Sequence, residues 1–308
     1  MNKPWLAEYP VSLELAGKLI MLQFPEFDLE EIKQLGEGFD NTVIQINGQF
    51  VFRFPRRPIA VTLIQVENQL LPSIAGTFPL AIPEPIFFGK PSTLYPYPFT
   101  GYKMVKGHLP VEGTKAKKVE SAKRFARFLK VLHSFPVEKA KRLGVQPDGM
   151  MRLDIPYRKK SLMENVSNLI KLGYFEQAHA VKDFVETLGE GEGEGELDVQ
   201  HPISLVHGDI HIRNVLLDDE GVLAGVIDWG DVHIGNPAID FSFLYSYFPK
   251  EVRSAFFEIY GEIEKETESL ARFRAIYMLV TLLVYGIDRH DEELIAITST
   301  GLKFAIEE

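Results

Sequence analysis

The chain has 308 residues, of which 45% are hydrophobic, and a formal net charge of −10 at pH 7. This length allows one large bilobal unit or two domains with cores of their own. The acidic balance disfavours nucleic-acid binding, which needs lysine and arginine to neutralise phosphates, and is compatible with a cationic small substrate. The absence of cysteine excludes disulfides, thiolate metal sites and cysteine nucleophiles, and is compatible with a reducing cytoplasm.

No segment of the sequence predicts export or insertion into a membrane. The N-terminal stretch lacks a basic region followed by an apolar core and a small-residue cleavage site. The most apolar helical run, Ala275–Ile287, has 13 residues, which is too short to span a bilayer. We therefore expect a cytoplasmic protein without a membrane partner, in which this run forms a core helix. The sequence does not indicate an oligomeric state.

The first predicted elements are a helix and a β-hairpin. Apolar residues recur with helical spacing over Ser12–Phe24, which begins at an N-cap serine. Gly36 and Gly38 then precede Asn47-Gly48, which lies between two apolar-rich runs and is a strong hairpin signal. The two glycines fit a plain tight turn as well as a loop whose amides approach phosphate oxygens.

The predicted turn decides which side chains of this hairpin share a face. With Asn47-Gly48 as a two-residue turn, Ile44 faces Val51 and Thr42 faces Arg53, all on one side of the hairpin. One face can therefore cover a nucleotide base with Ile44 and Val51. The opposite face takes three phenylalanines: Phe50, Phe52 and Phe54.

Two short strands and several helices are predicted after the hairpin. Glu67 lies on a predicted helix, Ala60–Leu71, where an ordinary solvated charge is the alternative to a functional one. Phe87-Phe88 and Phe99–Val105 predict strands. The remaining predictions are a helix over Lys115–Phe135 that ends near His133, helices over Ser161–Leu188 broken near Gly173, a mobile acidic loop over Gly189–Leu197, and helices from Ala238 to the C-terminus.

The segment from Leu205 to Trp229 combines a second hairpin with several polar residues. Val215–Leu217 and Val222–Ile227 are short, apolar and rich in β-branched residues. The turn cluster between them ends in Gly221, where a positive φ is expected. This pattern predicts an antiparallel pair of strands.

Polar side chains flank this hairpin at its open end. Asn214 precedes the first strand and Asp228 follows the second, so the pairing brings an amide oxygen and a carboxylate together. Such oxygen ligands suit Mg²⁺, which leaves its other positions to water and phosphate. Asp209 lies five residues before Asn214, on the loop that leads into the hairpin.

The order and spacing of these residues resemble the catalytic segment of kinases. There, H-R-D-x-x-x-x-N is followed by a metal-binding aspartate; here, His207-Gly208-Asp209 is followed by Asn214 and Asp228. The chain is similar to the aminoglycoside and macrolide phosphotransferases, small-molecule kinases with a protein-kinase-like fold. The resemblance implies an α+β bilobal fold, with a mainly β nucleotide-binding lobe over residues 1–105 and a mainly helical catalytic and substrate-binding lobe over residues 106–308.

The resemblance also implies roles for the residues of the segment. Asp209 would orient or deprotonate the substrate hydroxyl, Asn214 and Asp228 would hold Mg²⁺, and His207 would support the loop. Asp240 resembles the position that braces the catalytic loop, although a carboxylate at a helix N-terminus is its ordinary interpretation. The co-substrate would be ATP or GTP, and the acceptor a hydroxyl of an aminoglycoside, a macrolide or a related small molecule.

In the first lobe, the resemblance implies a nucleotide site. Arg53 occupies the strand position of a basic residue that contacts the α- and β-phosphates, where kinases usually have lysine, and Glu67 is its natural ion-pair partner. The predicted set is completed by the hinge residues Lys103, Met104 and Val105, whose backbone would pair with the purine edge, and by Gly36, Gly38, Ile44 and Val51.

Other interpretations of the same residues remain open. Taken singly, His207 fits a packed loop histidine, Asp209 a turn residue and Asn214 a strand-entry cap. The missing lysine at position 53 is also a mark of kinase-like proteins that bind nucleotide without catalysis. Residues 208–211 are similar to part of a metallophosphatase motif, although such a site needs further ligand clusters.

Overall fold

The computed structural model describes residues 8–37, 40–111, 113–187 and 203–307. Gly38 and the predicted acidic loop Gly189–Leu197 lie outside this part of the chain. The N-terminal part is built on one sheet, and the elements are α1 (Leu13–Gln23), β1 (Ile32–Glu37), β2 (Asn41–Ile46), β3 (Phe50–Pro55), α2 (Pro58–Ile74), β4 (Pro85–Gly89) and β5 (Phe99–Lys103).

The sheet is antiparallel, with strand order β1-β2-β3-β5-β4. One of its faces packs against α1, which begins as predicted, since the Leu15 amide donates to Ser12 Oγ at 3.2 Å. Phenylalanines from β3, β4 and β5 fill the space between sheet and helix, for example Phe54 stacked on Phe99 with ring centroids 4.6 Å apart. Aromatic burial of this kind holds a small sheet together without cysteine or metal.

The hairpin of β2 and β3 differs from the predicted register by one residue. The connection has three residues, because Asn47 is anchored by the Glu30 and Glu31 amides, which donate to its Oδ1. Phe50 therefore pairs with Ile46, and Ile44 pairs with Phe52 rather than facing Val51. A slip of one residue turns every side chain to the other face. The prediction that Ile44 covers a nucleotide base was wrong, because Ile44 is fully buried in the core against α1.

The C-terminal part is mostly helical, with a few short strands that carry the conspicuous polar residues. The helices are α3 (Lys115–His133), α4 (Val137–Arg142), α5 (Ile155–Lys171), α6 (Phe175–Thr187), α7 (Ala238–Tyr247), α8 (Lys250–Tyr260), α9 (Lys265–Arg289) and α10 (Glu292–Ile306). The strands are β6 (Ser204–Val206), β7 (Val215–Leu217), β8 (Leu223–Val226) and β9 (His233–Gly235), and β6 pairs with β9.

The second hairpin forms as the sequence predicts. Val215 pairs with Val226, and the turn closes through the Gly221 amide, which donates to the Asp218 carbonyl at 2.8 Å. Gly221 has φ +76°, a conformation that glycine adopts without strain. The segment that follows β5 lies alongside, because His108 and Leu217 exchange backbone hydrogen bonds of 3.0 and 2.8 Å. The N-terminal sheet is thereby connected directly to the hairpin.

Helix α9 is by length and composition the one described helix that could cross a membrane. It packs against α5, α7 and α10, and 56% of its most apolar stretch is buried within the protein. Its buried residues include Arg274, whose side chain reaches the loop after β6. This packing is that of the core helix predicted for Ala275–Ile287, and it places one helix face beside the polar residues of the loop.

Candidate active site

The loop after β6 is held by a buried carboxylate. Asp240, in the first turn of α7, is fully buried and accepts hydrogen bonds from the amides of His207 at 2.8 Å and Gly208 at 2.9 Å. His133 Nε2 donates to the same carboxylate at 3.2 Å. Burial alone would raise the pKa of Asp240, but His133, His207 and the Gly208 amide outweigh it and lower this pKa. Asp240 thus braces the loop as an anion.

Gly208 allows the chain to turn beneath this brace. Its φ is +85°, and a Cβ at this position would lie 2.5 Å from the Asp231 carbonyl oxygen and 2.6 Å from His233 Nδ1. Only glycine fits both the conformation and the space. The following residue, Asp209, is thereby turned out of the packed layer.

His207 supports the loop from inside. Its side chain is fully buried, with ring centroid 4.8 Å from that of Trp229. Nε2 lies 3.2 Å from the Ile227 carbonyl, and Nδ1 accepts from the Asp209 amide at 3.3 Å. Burial lowers the pKa of His207 more than the surrounding carboxylates raise it. The predicted supporting role fits this geometry; direct contact with reactants does not, because the ring is enclosed.

Asp209 lies among polar partners and keeps 23% of its side chain exposed. Its Oδ2 is 3.3 Å from His211 Nε2, and its Oδ1 is 3.5 Å from Arg274 Nη2. Asn214 Nδ2 donates to the Asp209 carbonyl at 2.9 Å and to Oδ2 at 3.3 Å. Burial would raise the pKa of Asp209, but His211, Arg274 and His207 together hold it well below its usual range. The carboxylate is therefore ionised and can accept a proton or orient a hydroxyl.

Asn214 and Asp228 both lie at the open end of the hairpin. The Ile227 amide donates to the Asn214 carbonyl at 2.9 Å, which extends the pairing of β7 and β8 by one residue and sets Asp228 next to it. Asp228 has φ +63°, a strained conformation for a non-glycine residue, and its side chain is 54% exposed. Because the Asn214 amide nitrogen is used by Asp209, its oxygen remains the ligand atom on offer.

Arg53 connects the N-terminal sheet to this hairpin. It donates to both carboxylate oxygens of Glu67, at 2.8 and 3.0 Å, and its Nη2 donates to Asp228 Oδ1 at 3.0 Å. Burial would lower the pKa of Arg53, but Glu67 and Asp228 raise it. The predicted pair of Arg53 and Glu67 is therefore present, and Arg53 also contacts the predicted metal-binding aspartate.

The other predicted nucleotide-binding residues lie along the same side of the sheet or at its end. Val51 is two residues before Arg53 on β3 and shares its face. Gly36 lies at a register irregularity in β1, with open space where a side chain would be. Lys103 ends β5, and the Met104 amide donates to the Gln49 carbonyl at 2.7 Å. The Met104 amide therefore already has a partner within the protein, although the backbone of all three hinge residues was expected to pair with the purine edge.

The sequence interpretation missed three residues that contact the site. The sequence places His211 only within a metal-site motif, and its position two residues after Asp209 is the available signal. His133 ends α3 as predicted, and it also donates to Asp240 across 107 positions. Nothing in the local pattern of α9 distinguishes Arg274 from a surface charge.

A network of ion pairs borders the site on the side of the α4–α5 connection. Arg152, which is buried, pairs with Asp148 at 2.5 Å and with Asp231. Burial raises the pKa of Asp231, and the nearby Asp209 and Asp228 raise it further, whereas Arg152 lowers it. The carboxylates of Asp148 and Asp231 therefore share the guanidinium of Arg152.

Comparison with known proteins connects this geometry to a family. The profile of the phosphotransferase enzyme family (APH) matches residues 31–276. A curated relative, the uncharacterized protein YcbJ of Bacillus subtilis (strain 168), is 29% identical over 79 residues. That alignment covers 24% of this chain and only 26% of YcbJ.

Solved structures match over nearly the full length. The GDP complex of wild-type aminoglycoside 2'-phosphotransferase-IIIa has a TM-score of 0.68 at 25% identity, covering 96% of this chain and 99% of that chain. A macrolide 2'-phosphotransferase type I has a TM-score of 0.56 at 18% identity, covering 95% and 98%, and shows the fold alone. The predicted α+β, kinase-like fold is confirmed. Because the family profile matches most of its length, the chain belongs to the phosphotransferase enzyme family (APH).

Proposed function

We propose that the protein is a Mg²⁺-dependent kinase that transfers the γ-phosphate of a purine nucleoside triphosphate to a hydroxyl of a small molecule. The observation that carries this proposal is the convergence of Asp209, Asn214 and Asp228 at one end of the second hairpin. An ionised carboxylate beside two oxygen ligands is the arrangement that phosphoryl transfer needs, since this reaction depends mainly on positioning and on neutralising charge.

In this proposal, Asp209 orients the acceptor hydroxyl and takes its proton as the bond to phosphorus forms. The low pKa of Asp209 keeps it in the accepting form. His207 and Asp240 hold the loop from beneath and touch no reactant. His211 stabilises the carboxylate through Oδ2 and fixes its orientation.

Mg²⁺ fits the residues present. Asn214 and Asp228 offer two oxygen ligands, which is the number that Mg²⁺ commonly takes from protein when phosphates and water supply the others. Bound there, the ion would neutralise charge on the transferring phosphates. In this arrangement Arg53 would contact the nucleotide phosphates. Its hydrogen bond to Asp228 keeps the guanidinium next to the proposed Mg²⁺ ligand.

The nucleotide would lie between the N-terminal sheet and the hairpin, with the lobe boundary near Val105. Val51 and Gly36 would face it, and the backbone from Lys103 to Val105 would border the purine, without the Met104 amide. The aminoglycoside phosphotransferase relative binds GDP. Both ATP and GTP are therefore proposed co-substrates, the proposed acceptor is a hydroxyl of a small molecule, and the aminoglycosides and macrolides implied by the family resemblance are acceptors to be assayed.

The test is phosphate transfer by the purified protein with ATP and with GTP, to a panel of aminoglycosides, macrolides, sugars and amino alcohols. Asp209→Asn should lower turnover by roughly 10²–10⁴ while Mg²⁺-nucleotide binding persists. Asp228→Asn should weaken Mg²⁺-nucleotide binding itself. Full activity of either variant would refute the assignment. Binding of nucleotide by the wild type without transfer to any acceptor would favour a regulator instead.

A further inference from the structure

Arg274 is a buried cation with unused hydrogen-bonding capacity beside Asp209. Its side chain is 7% exposed, and Nη2 lies 3.5 Å from Asp209 Oδ1. Within the described ranges, this long contact is the guanidinium's only ion pair or hydrogen bond to a protein acceptor. A guanidinium has five N–H donors, and burying a charge is costly unless it is paired.

Two other arginines with little exposed surface have closer protein partners than Arg274. Arg53 is shared by Glu67 and Asp228, as described above, and Arg253 donates to the carbonyls of Phe248 and Phe304. Arg274 differs because its single ion pair in the described part of the chain, with Asp209 Oδ1, is long. Its open donors therefore point to a ligand that the protein itself does not supply.

The surroundings of Arg274 are basic and aromatic. Arg158 and Arg274 lie over the ring of Tyr277, with Cζ 5.6 and 5.9 Å from its centroid. Arg158 donates to the carbonyls of Met150 and Met151, and no carboxylate contacts it in the described part of the chain. Burial lowers the pKa of Arg274, Asp209 raises it, and the nearby Arg152 and Arg158 lower it again. In the described part of the chain, Asp209 is the one carboxylate within ion-pair distance of Arg274.

We propose that Arg274, assisted by Arg158, binds an anionic group of the acceptor, so that the natural acceptor is a hydroxy compound bearing a carboxylate or a phosphate. This rests on the proposed kinase function. An amine in the same place would meet guanidinium groups, and the nearby carboxylates already have partners: Asp148 and Asp231 pair with Arg152, and Asp209 pairs with His211 and Arg274. The negative net charge of the whole chain does not change this local field, because exposed charges beyond about 10 Å are screened by salt.

The geometry limits the size of the acceptor. A hydroxyl hydrogen-bonded to Asp209 Oδ1 and an anionic oxygen hydrogen-bonded to Arg274 Nη2 can be no more than about 9 Å apart, given ordinary hydrogen-bond lengths. Small hydroxy acids, sugar acids and sugar phosphates satisfy this limit. The anion would also orient the acceptor, because a planar guanidinium grips a carboxylate or phosphate through two hydrogen bonds.

The experiment uses acceptors that share a scaffold and differ in charge: glucose, glucuronate, glucose 6-phosphate and glucosamine, with glycerol, glycerate and glycerol 3-phosphate as a second set. Wild type should transfer phosphate to the anionic members with kcat/KM at least about tenfold above the neutral ones, and least well to the amine. Arg274→Gln should lower kcat/KM for the anionic members about ten- to a hundredfold more than for the neutral ones, whose smaller loss reports the contact of Arg274 with Asp209. Arg274→Lys should retain part of the preference.

Arg289→Gln is the matched control. It removes the same charge from the same helix, at an exposed position about 22 Å along the axis from Arg274. Its acceptor preference should equal that of wild type. Acceptor binding is measured in parallel by calorimetry, with the protein saturated with Mg²⁺ and a non-hydrolysable nucleotide, so that a preference is seen even where turnover is slow.

Several results separate the two proposals. Equal or faster transfer to glucosamine or aminoglycosides, unchanged in Arg274→Gln, would overturn the anion site and leave the kinase function intact. Failure to bind Mg²⁺-nucleotide would overturn the kinase function. If Arg274 served only to keep Asp209 ionised, Arg274→Gln would shift the pH profile of turnover equally for all acceptors, and that outcome also refutes anion recognition.

Discussion

Replacing Arg53 with methionine tests the ion pair that joins the sheet to the hairpin. Without Arg53, the Glu67 side chain, which is 3% exposed, becomes a buried carboxylate with no cation, whereas the more exposed Asp228 is hydrated. Removing one partner of a buried pair costs about 3–5 kcal/mol. This loss is a large share of the roughly 5–15 kcal/mol by which a typical domain is stable. We expect the destabilisation by Arg53→Met to approach the lower end of this range at pH 8.5.

The pH dependence follows from the pKa of Glu67. Burial raises this pKa from 4.5 to about 7, although Arg53 lowers it. Because the folded pKa is above the unfolded one, the contribution of Glu67 to stability is greatest below about pH 4.5 and falls as the pH rises to about 7. Without Arg53 the pKa rises further. The destabilisation by Arg53→Met should therefore be small at pH 5.5 and grow above pH 7 by up to about 1.4 kcal/mol per pH unit.

The assay is denaturant unfolding at pH 5.5, 7 and 8.5. Arg53→Met combined with Glu67→Gln is the control, because it removes both charges and should recover most of the stability while remaining impaired in nucleotide use. Arg53→Lys should keep more activity than Arg53→Met. An equal loss of stability at all three pH values, with no recovery in the double variant, would refute the reasoning.

Two further predictions concern the brace and the register. Asp240→Ala leaves two buried amides and the donor of His133 without an acceptor, at about 1–3 kcal/mol each, so unfolding should occur at clearly lower denaturant; a change below about 1 kcal/mol would contradict the brace. Ile44→Ala should cost about 2–5 kcal/mol of stability without changing the Michaelis constant for nucleotide, and Val51→Ala should do the opposite, as measured by unfolding and steady-state kinetics. If only Ile44→Ala changed the Michaelis constant for nucleotide, the result would support the two-residue turn predicted from the sequence.

The parts of the site that local sequence encodes were predictable. The hairpin that carries Asn214 and Asp228 forms between residues close in sequence, and its apolar runs and glycine turn encode it directly. The pair of Arg53 and Glu67 was found because the order of elements resembles a known family.

The remaining features depend on distant contacts. The register of Ile44 is set by Asn47, whose side chain is held by amides 16 and 17 residues earlier, so that a third residue enters the turn. Arg274 approaches Asp209 only because α9 packs where it does. No pattern within either segment could reveal such contacts, since tertiary packing decides them.

Through the carboxylate of Asp240, substitutions at distant positions should affect the loop that carries Asp209. His133 contacts Asp240 through Nε2 at 3.2 Å and the Tyr260 hydroxyl through Nδ1 at 2.9 Å. One chain of hydrogen bonds therefore connects α3 and α8 to the loop that carries Asp209. In a deep mutational scan selected for phosphate transfer, positions 133 and 260 should score with the loop rather than with their own helices. Which residues are accepted at one of these positions should depend on the other two, and homologues should exchange them together.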